Sequence, residues 1–152
     1  DLYDSLLGNK LSHASPFARI MEAGRASRLV QVGIRTLNKH QREQAEKFGV
    51  EIYQMKDLTK LSSLSFSKPV YCSIDIDALD PAYAPGVSHF EPGGLSTRQL
   101  IDCLNGFKGR LIGADIVEYN PKTDFHNLTA MVAAKLLKEV IARIYRDNIK
   151  KD

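Results

Sequence analysis

The stretch Ser73-Ile-Asp-Ile-Asp-Ala-Leu-Asp-Pro81 places two aspartates, Asp75 and Asp77, at the end of an apolar run that begins at Pro69. In a β-strand, residues i and i+2 share a face and lie about 6–7 Å apart, so the pattern predicts two neighbouring carboxylates. Burying two like charges side by side is unfavourable unless a positive charge lies between them. No lysine or arginine occurs between Pro69 and Glu91. The simplest counter-charge is therefore a divalent cation bound by oxygen ligands.

A second interpretation of this stretch involves no metal. One aspartate would pair with a lysine elsewhere in the chain, and the other would cap a backbone turn. A third acid, Asp80, comes directly before Pro81, and aspartate before proline favours the start of a turn. We therefore expect Asp80 to cap the loop that follows, residues 78–95, rather than to bind the cation. That loop is rich in proline and glycine, and a long ordered loop after a strand is usually functional.

The composition is that of an ordinary globular protein, with 152 residues of which 43% are apolar and 26% are charged. Residues 1–152 are predicted to form a single domain. The net charge of +3 is small and the basic residues are spread along the chain, which argues against nucleic-acid binding. No apolar run approaches the roughly 20 residues of a membrane span, and no signal peptide is visible. Cys72 and Cys103 are predicted to be buried, reduced thiols rather than a disulfide.

Helical and extended patterns alternate along the chain. Strands are predicted at 29–34, 50–54, 70–77 and 111–117, and helices at 15–24, 38–48, 96–106 and 125–147, with a weak helical turn at 57–64. Alternation of helices with apolar strands predicts an α/β fold with a largely parallel sheet that is covered on both faces. Ligands of such sheets bind beyond the carboxyl ends of the strands, which is where Asp75, Asp77 and Glu118 are expected.

Glu118 and two histidines are further candidates for chemistry. A glutamate at a strand end is either a solvated charge or, beside a metal pocket, an acceptor for the hydrogen bonds of a guanidinium group. His13 lies just before the first helix and is either an ordinary loop residue or, if its loop faces the acids, a proton shuttle. His89 lies in the long loop and could approach the pocket. His40 and His126 are interpreted as surface residues.

Several of these stretches resemble one family in the order in which that family has them. Ser73–Pro81, with the Ala-Pro-Gly at 84–86 and the Pro-Gly-Gly at 92–94, resembles the second metal signature of the ureohydrolases, the arginase and agmatinase family. The sequence around His13, Ser-His-Ala-Ser-Pro-Phe, resembles the family's histidine loop. Val117–Pro121 resembles its guanidinium-binding strand end, and Asp1–Asp4 resembles the end of its Asp-Ala-His-x-Asp motif. The region around His13 is most similar to plant-type arginases.

The resemblance implies a three-layer αβα fold and a binuclear manganese hydrolase that converts L-arginine to urea and L-ornithine. In such an enzyme Asp75 would bridge both Mn2+ ions and Asp77 would bind one of them. Asp1 would bind the other ion and could donate a proton to the leaving amine. Metal ions of this kind lower the pKa of bound water and stabilise a tetrahedral intermediate.

The resemblance also implies roles around the substrate. His13 would shuttle protons, and Glu118 would orient the substrate guanidinium. Asn9 and His89 match positions near the substrate only loosely. The family further implies a homo-oligomer, either a trimer or a hexamer. Similarity to plant arginases implies a mitochondrial location, and a cytoplasmic one is the alternative.

The chain also departs from the family pattern. The family's Gly-Gly-Asp-His segment is absent, as are the first aspartate and the histidine of Asp-Ala-His-x-Asp. We therefore expect a carboxyl-terminal fragment that lacks its amino-terminal part, and with it three of the six metal ligands. Such a fragment is expected to bind manganese poorly and not to turn over substrate on its own.

Three alternatives compete with the arginase hypothesis. An agmatinase would convert agmatine to urea and putrescine, and the two substrates differ only in the α-carboxylate. A catalytically inactive, truncated relative would keep the fold as a binding or assembly module. A magnesium-dependent phosphoryl-transfer domain also uses aspartates at strand ends, but the chain lacks the glycine-rich phosphate loop that ends in Lys-Ser or Lys-Thr.

Overall fold

The structure is a computed structural model that describes residues 2–149, apart from the side chain of Ser62. The described residues form two compact units, one that ends at Gln54 and one that begins at Met55. Each unit contains a pair of parallel strands and helices that alternate with them along the chain. This confirms the predicted α/β fold class. The single domain predicted from the sequence stays a prediction.

The first unit contains the elements α1 (Pro16–Glu22), β1 (Val30–Ile34), α2 (Lys39–Phe48) and β2 (Glu51–Gln54). The strands pair in parallel, with Val30 opposite Glu51. Helix α2 begins with a capping box, in which Asn38 and Gln41 each bond the other's backbone N–H, and ends at Gly49 in the left-handed region. The hydrophobic core of this first unit is built around Leu2, Ala18 and Ala45.

The second unit contains β3 (Val70–Asp75), α3 (Thr97–Gly106), β4 (Leu111–Val117) and α4 (Leu128–Asn148). Short 3-10 helices lie at Met55–Ser63, Ile76–Ala78 and Phe125–Asn127. Strands β3 and β4 pair in parallel, and the last pair in the register is Asp75 with Val117. The carboxyl ends of the two strands therefore meet at one edge of the sheet, and Glu118 follows directly after β4.

Two apolar clusters support this edge of the second unit. The first packs α3 and α4 against the strands and consists of Ile74, Ile101, Leu104, Leu111, Leu136 and Val140. The second lies beneath the long loop and consists of Ile76, Leu79, Ala84, Val87 and Leu95. Because every member of the second cluster is at most 1% exposed, the loop after β3 is a packed part of the fold.

The predicted strands and helices are found close to their expected positions, with two differences at their ends. Strand β3 ends at Asp75 rather than at Asp77, because the chain turns into the 3-10 helix at Ile76–Ala78. Helix α4 begins at Leu128, because His126 and Asn127 are both in the left-handed region with φ of 50° and 59°. The first difference changes the predicted geometry of the aspartate pair.

The two cysteines are free, as predicted, and are partly buried. Burial, with a smaller contribution from Asp115, raises the pKa of the Cys72 thiol to about 11, so this thiol is protonated near neutral pH. No helix in the described part of the chain combines the length and the apolar character needed to cross a bilayer.

One buried arginine in the second unit has a structural role that the sequence pattern did not indicate. Arg143, on α4, is 5% exposed and donates to the carbonyls of Leu104, Asn105, Phe107 and Gly109. Its Nε lies 2.6 Å from Oδ2 of Asp147, and its guanidinium lies 4.5 Å from the centre of the Phe107 ring. One side chain thus satisfies the last carbonyls of α3 and fixes the connection into β4.

We predict that Arg143→Ala destabilises the protein by about 3 kcal/mol, because it leaves buried carbonyls and the Asp147 carboxylate without their partner. The measurement is urea-induced unfolding followed by circular dichroism. Arg146→Ala is the matched control, since Arg146 is 62% exposed and its closest contact with Asp147 is 3.7 Å. A loss for Arg143→Ala no larger than that for Arg146→Ala would contradict this role.

Candidate active site at the ends of β3 and β4

Asp75 and Asp77 lie together at the carboxyl end of β3, but not in the way that the strand pattern predicted. Asp75 is the last residue of the strand, and its Oδ1 accepts a hydrogen bond of 3.1 Å from the backbone N–H of Asp77. The prediction that both side chains share one face of a strand is therefore wrong. The carboxylate of Asp75 caps the turn that contains Asp77, and burial of Ile76 in the second apolar cluster fixes that turn.

Burial and neighbouring negative charge dominate the electrostatics of Asp75. Burial raises the pKa of Asp75 to about 7, the negative charges of Asp77 and Glu118 add to the rise, and the hydrogen bond from Asp77 opposes it. Among residues 2–149, no lysine or arginine forms an ion pair with Asp75. This arrangement favours the neutral form of the Asp75 carboxyl group, whereas a bound cation would favour its charged form.

Glu118 occupies the end of the neighbouring strand in a strained backbone conformation. Its φ is +64°, which costs a residue other than glycine about 1 kcal/mol or more. Its partly buried carboxylate makes no hydrogen bond or ion pair with another residue in the described part of the chain. The charge of Glu118 acts on Asp75, so the two strand ends bring these acids near each other. Glu118 can therefore accept hydrogen bonds from a cationic group beside the aspartates.

Two other acids in this region have structural roles. Asp80 caps the long loop, as predicted, since its carboxylate accepts from the backbone N–H groups of Ala82, Gly93 and Gly94. Asp115 accepts from the hydroxyls of Tyr71 and Ser73 on the paired strand, at 3.0 and 2.5 Å. Asp115 therefore stabilises the pairing of β3 with β4.

The structure also describes the other residues proposed for the site, each within its own unit. His89 is exposed in the long loop and makes no hydrogen bond with a described residue. In the first unit His13 is exposed in the loop before α1, and Oδ1 of the exposed Asn9 accepts from the backbone N–H of Leu11. His13 and Asn9 belong to a different unit from Asp75, so their roles beside it stay predictions. Asp1 lies outside the described residues.

The described residues supply part of a metal donor set. Within residues 2–149, no group of three histidine, cysteine, aspartate or glutamate side chains is arranged to hold a metal ion. Asp75 and Asp77 nevertheless provide hard oxygen donors, which suit divalent ions such as Mn2+. The raised pKa of Asp75 is the behaviour expected of a carboxylate that needs a cation as its partner.

Comparison with known proteins identifies the family. The model of the arginase family matches residues 1–142 of the chain. The chain belongs to the arginase family. It is 54% identical to "Arginase 1, mitochondrial" from Arabidopsis thaliana over an alignment that covers 95% of this chain and 44% of that protein. The chain thus spans less than half the length of the plant arginases that it matches.

Solved structures of arginase-family proteins have the same fold. The arginase from Medicago truncatula matches with a TM-score of 0.88 and 50% identity, over 94% of this chain and 48% of that one. A triple mutant of the arginase-like protein from T. brucei, solved with Mn2+ bound, matches with a TM-score of 0.81 and 33% identity. That match covers 86% of this chain and 47% of the T. brucei chain. The structural similarity to arginase-family proteins therefore extends over most of this chain.

Residues that hold the two strand ends in place were missed by the sequence reasoning. Asp124 accepts hydrogen bonds from the backbone N–H groups of Thr129 and Ala130 and from the hydroxyl of Tyr119. The Thr129 hydroxyl accepts from the backbone N–H of Gly86 at 2.6 Å. Helix-capping side chains normally lie two or three residues before the N–H that they bind, whereas Asp124 lies five residues before Thr129. The left-handed conformation of His126 brings the Asp124 carboxylate to the start of α4. The local sequence carried no recognisable signal for these contacts.

We predict that Asp75→Asn stabilises the metal-free protein at pH 8 by about 2 kcal/mol and has little effect at pH 4. The pKa of Asp75 is raised on folding, so its favourable contribution is present below about pH 4 and is lost as pH rises through about 7. Asparagine keeps the oxygen that caps the turn and removes the charge.

The measurement is urea-induced unfolding with a metal chelator at both pH values. Asp102→Asn is the matched control, because Asp102 is 66% exposed on α3. Equal effects of Asp75→Asn at pH 4 and pH 8 would show that the Asp75 carboxylate lacks the unfavourable environment described above.

Proposed function

We propose that the whole protein is a manganese-dependent arginase that hydrolyses the guanidinium group of L-arginine to urea and L-ornithine. The observation that carries this proposal is the concentration of Asp75, Asp77 and Glu118 at the ends of β3 and β4 in a chain of the arginase family. The names of the plant relatives, at 54% identity, support arginine over agmatine as the substrate.

Asp75 and Asp77, together with Asp1, are proposed to hold two manganese ions. The raised pKa of Asp75 and the Mn2+ ion in the related T. brucei structure support this assignment. When bound, manganese supplies Lewis-acid chemistry and lowers the pKa of water, which can then attack the guanidinium carbon. The task of the two strand-end aspartates is to present oxygen donors at fixed positions while Asp75 also caps the turn.

Glu118 is proposed to orient the guanidinium group through hydrogen bonds to its carboxylate. The absence of any hydrogen bond from a described residue to this carboxylate supports the role, since its acceptor sites remain available. Asn9 and His89 are proposed to contact the remainder of the substrate. His13 is proposed to carry the proton that the leaving amine needs, because an imidazole can both accept and donate a proton, and Asp1 is the second candidate for that proton.

The whole protein is further proposed to form a homo-oligomer, a trimer or a hexamer, and to be mitochondrial. Family membership supports the first statement. The second is supported by the names of the relatives from Arabidopsis thaliana and rice, both of which are called mitochondrial.

The direct test is urea release by the purified whole protein with L-arginine or agmatine, with manganese or after its removal by a chelator. We expect a higher kcat/KM for arginine, loss of activity on chelation and recovery when manganese is restored. A higher kcat/KM for agmatine would identify an agmatinase. Manganese bound without urea from either compound would indicate a non-catalytic module.

We predict that Glu118→Gln raises KM for arginine by about 10-fold to 100-fold, since a hydrogen bond to a charged group contributes about 1.5–3 kcal/mol. Manganese content, measured by atomic emission, should stay at the wild-type level. Glu46→Gln, an exposed site on α2, is the matched control and should not change either quantity. An unchanged KM in Glu118→Gln would remove Glu118 from the substrate site.

A further inference from the structure

A network of hydrogen bonds centred on Asp124 lies behind the two strand ends. Its carboxylate accepts from the backbone N–H of Thr129 at 2.9 Å, from that of Ala130 at 3.0 Å and from the Tyr119 hydroxyl at 3.1 Å. Burial alone would raise the pKa of Asp124, but these donors and the Thr129 hydroxyl hold it below its ordinary value. Asp124 is therefore charged, and three donors within the chain engage its carboxylate.

One arm of this network reaches the residues directly after Glu118. Tyr119 donates its hydroxyl to Asp124. The backbone N–H of Asn120 donates to the carbonyl of Gly86 at 2.8 Å, and its side-chain amide donates to the Ser88 hydroxyl at 3.0 Å. The two residues after Glu118 thus form specific hydrogen bonds, while the Glu118 carboxylate has no hydrogen-bond partner among the described residues.

The other arm reaches the loop that follows Asp77. Thr129 is completely buried, and its hydroxyl accepts the backbone N–H of Gly86 at 2.6 Å. Thr129 also donates its backbone N–H to the Asp124 carboxylate at 2.9 Å, so this one residue connects Gly86 with Asp124. The loop that follows Asp77 and the segment that contains Glu118 are therefore joined through one buried residue, Thr129, and the Asp124 carboxylate.

The packing around Gly86 leaves no room for a side chain. A Cβ atom at this position would lie 2.8 Å from Cβ of Asp124 and 2.9 Å from Cβ of Thr129, which is closer than real Cβ contacts come. The two segments therefore approach each other as closely as backbone and side chain allow. Loss of a partner here leaves a buried polar group unsatisfied, and the loop must shift to reach a new one.

We propose that Asp124 and Thr129 are positioning residues, which fix Glu118 and the loop after Asp77 in one geometry for binding the substrate guanidinium. This proposal rests on the arginase function proposed above. Glu118 has an unfavourable φ of +64°, so its conformation persists only if the surrounding structure enforces it. The Asp124 network supplies that constraint, and small displacements of a binding group are enough to reduce activity.

The test compares Thr129→Val with Thr129→Ser in the manganese-loaded whole protein. Valine keeps the shape and removes the hydroxyl, so we expect KM for arginine to rise about 10-fold while kcat stays within about twofold and manganese content is unchanged. Serine keeps the hydroxyl and should restore a near wild-type KM. Thr97→Val, at the start of α3, is the matched control because the Thr97 hydroxyl has no partner among the described residues.

A second readout does not depend on activity. In Thr129→Val, hydrogen exchange at the backbone N–H groups of Gly86 and Asn120 should be at least about 10-fold faster than in the wild type, and unchanged in Thr97→Val. An unchanged KM in a folded Thr129→Val variant would overturn the proposal, as would a fall in kcat that follows lost manganese. If the wild-type protein releases no urea, the arginase proposal is wrong, whatever the exchange data show. Unchanged hydrogen exchange at Gly86 and Asn120 in Thr129→Val would then overturn the positioning role.

Discussion

Three carboxylates crowded at one edge of a parallel strand pair are the constraint on which the second unit depends. The register pairs Asp75 with Val117, so Glu118 follows immediately beside the aspartates. Burial and the two neighbouring negative charges raise the pKa of Asp75 to about 7. Such an arrangement is unfavourable for folding by itself, and strongly perturbed carboxylates of this kind cluster at functional sites. A bound cation would remove this cost, which is why the aspartates are proposed as metal ligands.

The rest of the unit holds this unfavourable edge in place. Arg143 donates hydrogen bonds to four backbone carbonyls between the end of α3 and the start of β4. Asp115 links β3 and β4 by accepting from the Tyr71 and Ser73 hydroxyls. Asp124 and Thr129 connect the loops that leave the two strands. Buried, fully satisfied polar contacts of this kind are directional, so they fix positions where apolar packing alone would permit small shifts.

Most of the fold could be predicted from the sequence, because its signals are local. Apolar runs, capping residues and glycines identified the four strands and the main helices, and the pattern of acids at strand ends identified the candidate site. The aspartate pair shows where this reasoning fails. Period-two alternation placed Asp77 on the strand, whereas the side chain of Asp75 caps a turn that removes Asp77 from it.

Contacts between distant parts of the chain could not be predicted in the same way. Arg143 looks like one more basic residue on an amphipathic helix, and only the folded unit shows its carbonyl partners 34 to 39 residues away. The contact between Gly86 and Thr129 spans 43 residues. It depends on the left-handed turn at His126, which the local sequence does not predict. Resemblance to the ureohydrolases predicted a metal-binding role for Asp75, but it gave no information about these supporting contacts.

The most direct test of the central claim is a crystal structure of the manganese-loaded whole protein, with diffraction data collected on both sides of the manganese absorption edge. The account predicts two anomalous-scattering peaks, with carboxylate oxygens of Asp75 and Asp77 within a coordination distance of about 2–2.5 Å. Strong manganese peaks that lie elsewhere, with Asp75 and Asp77 uncoordinated, would contradict it.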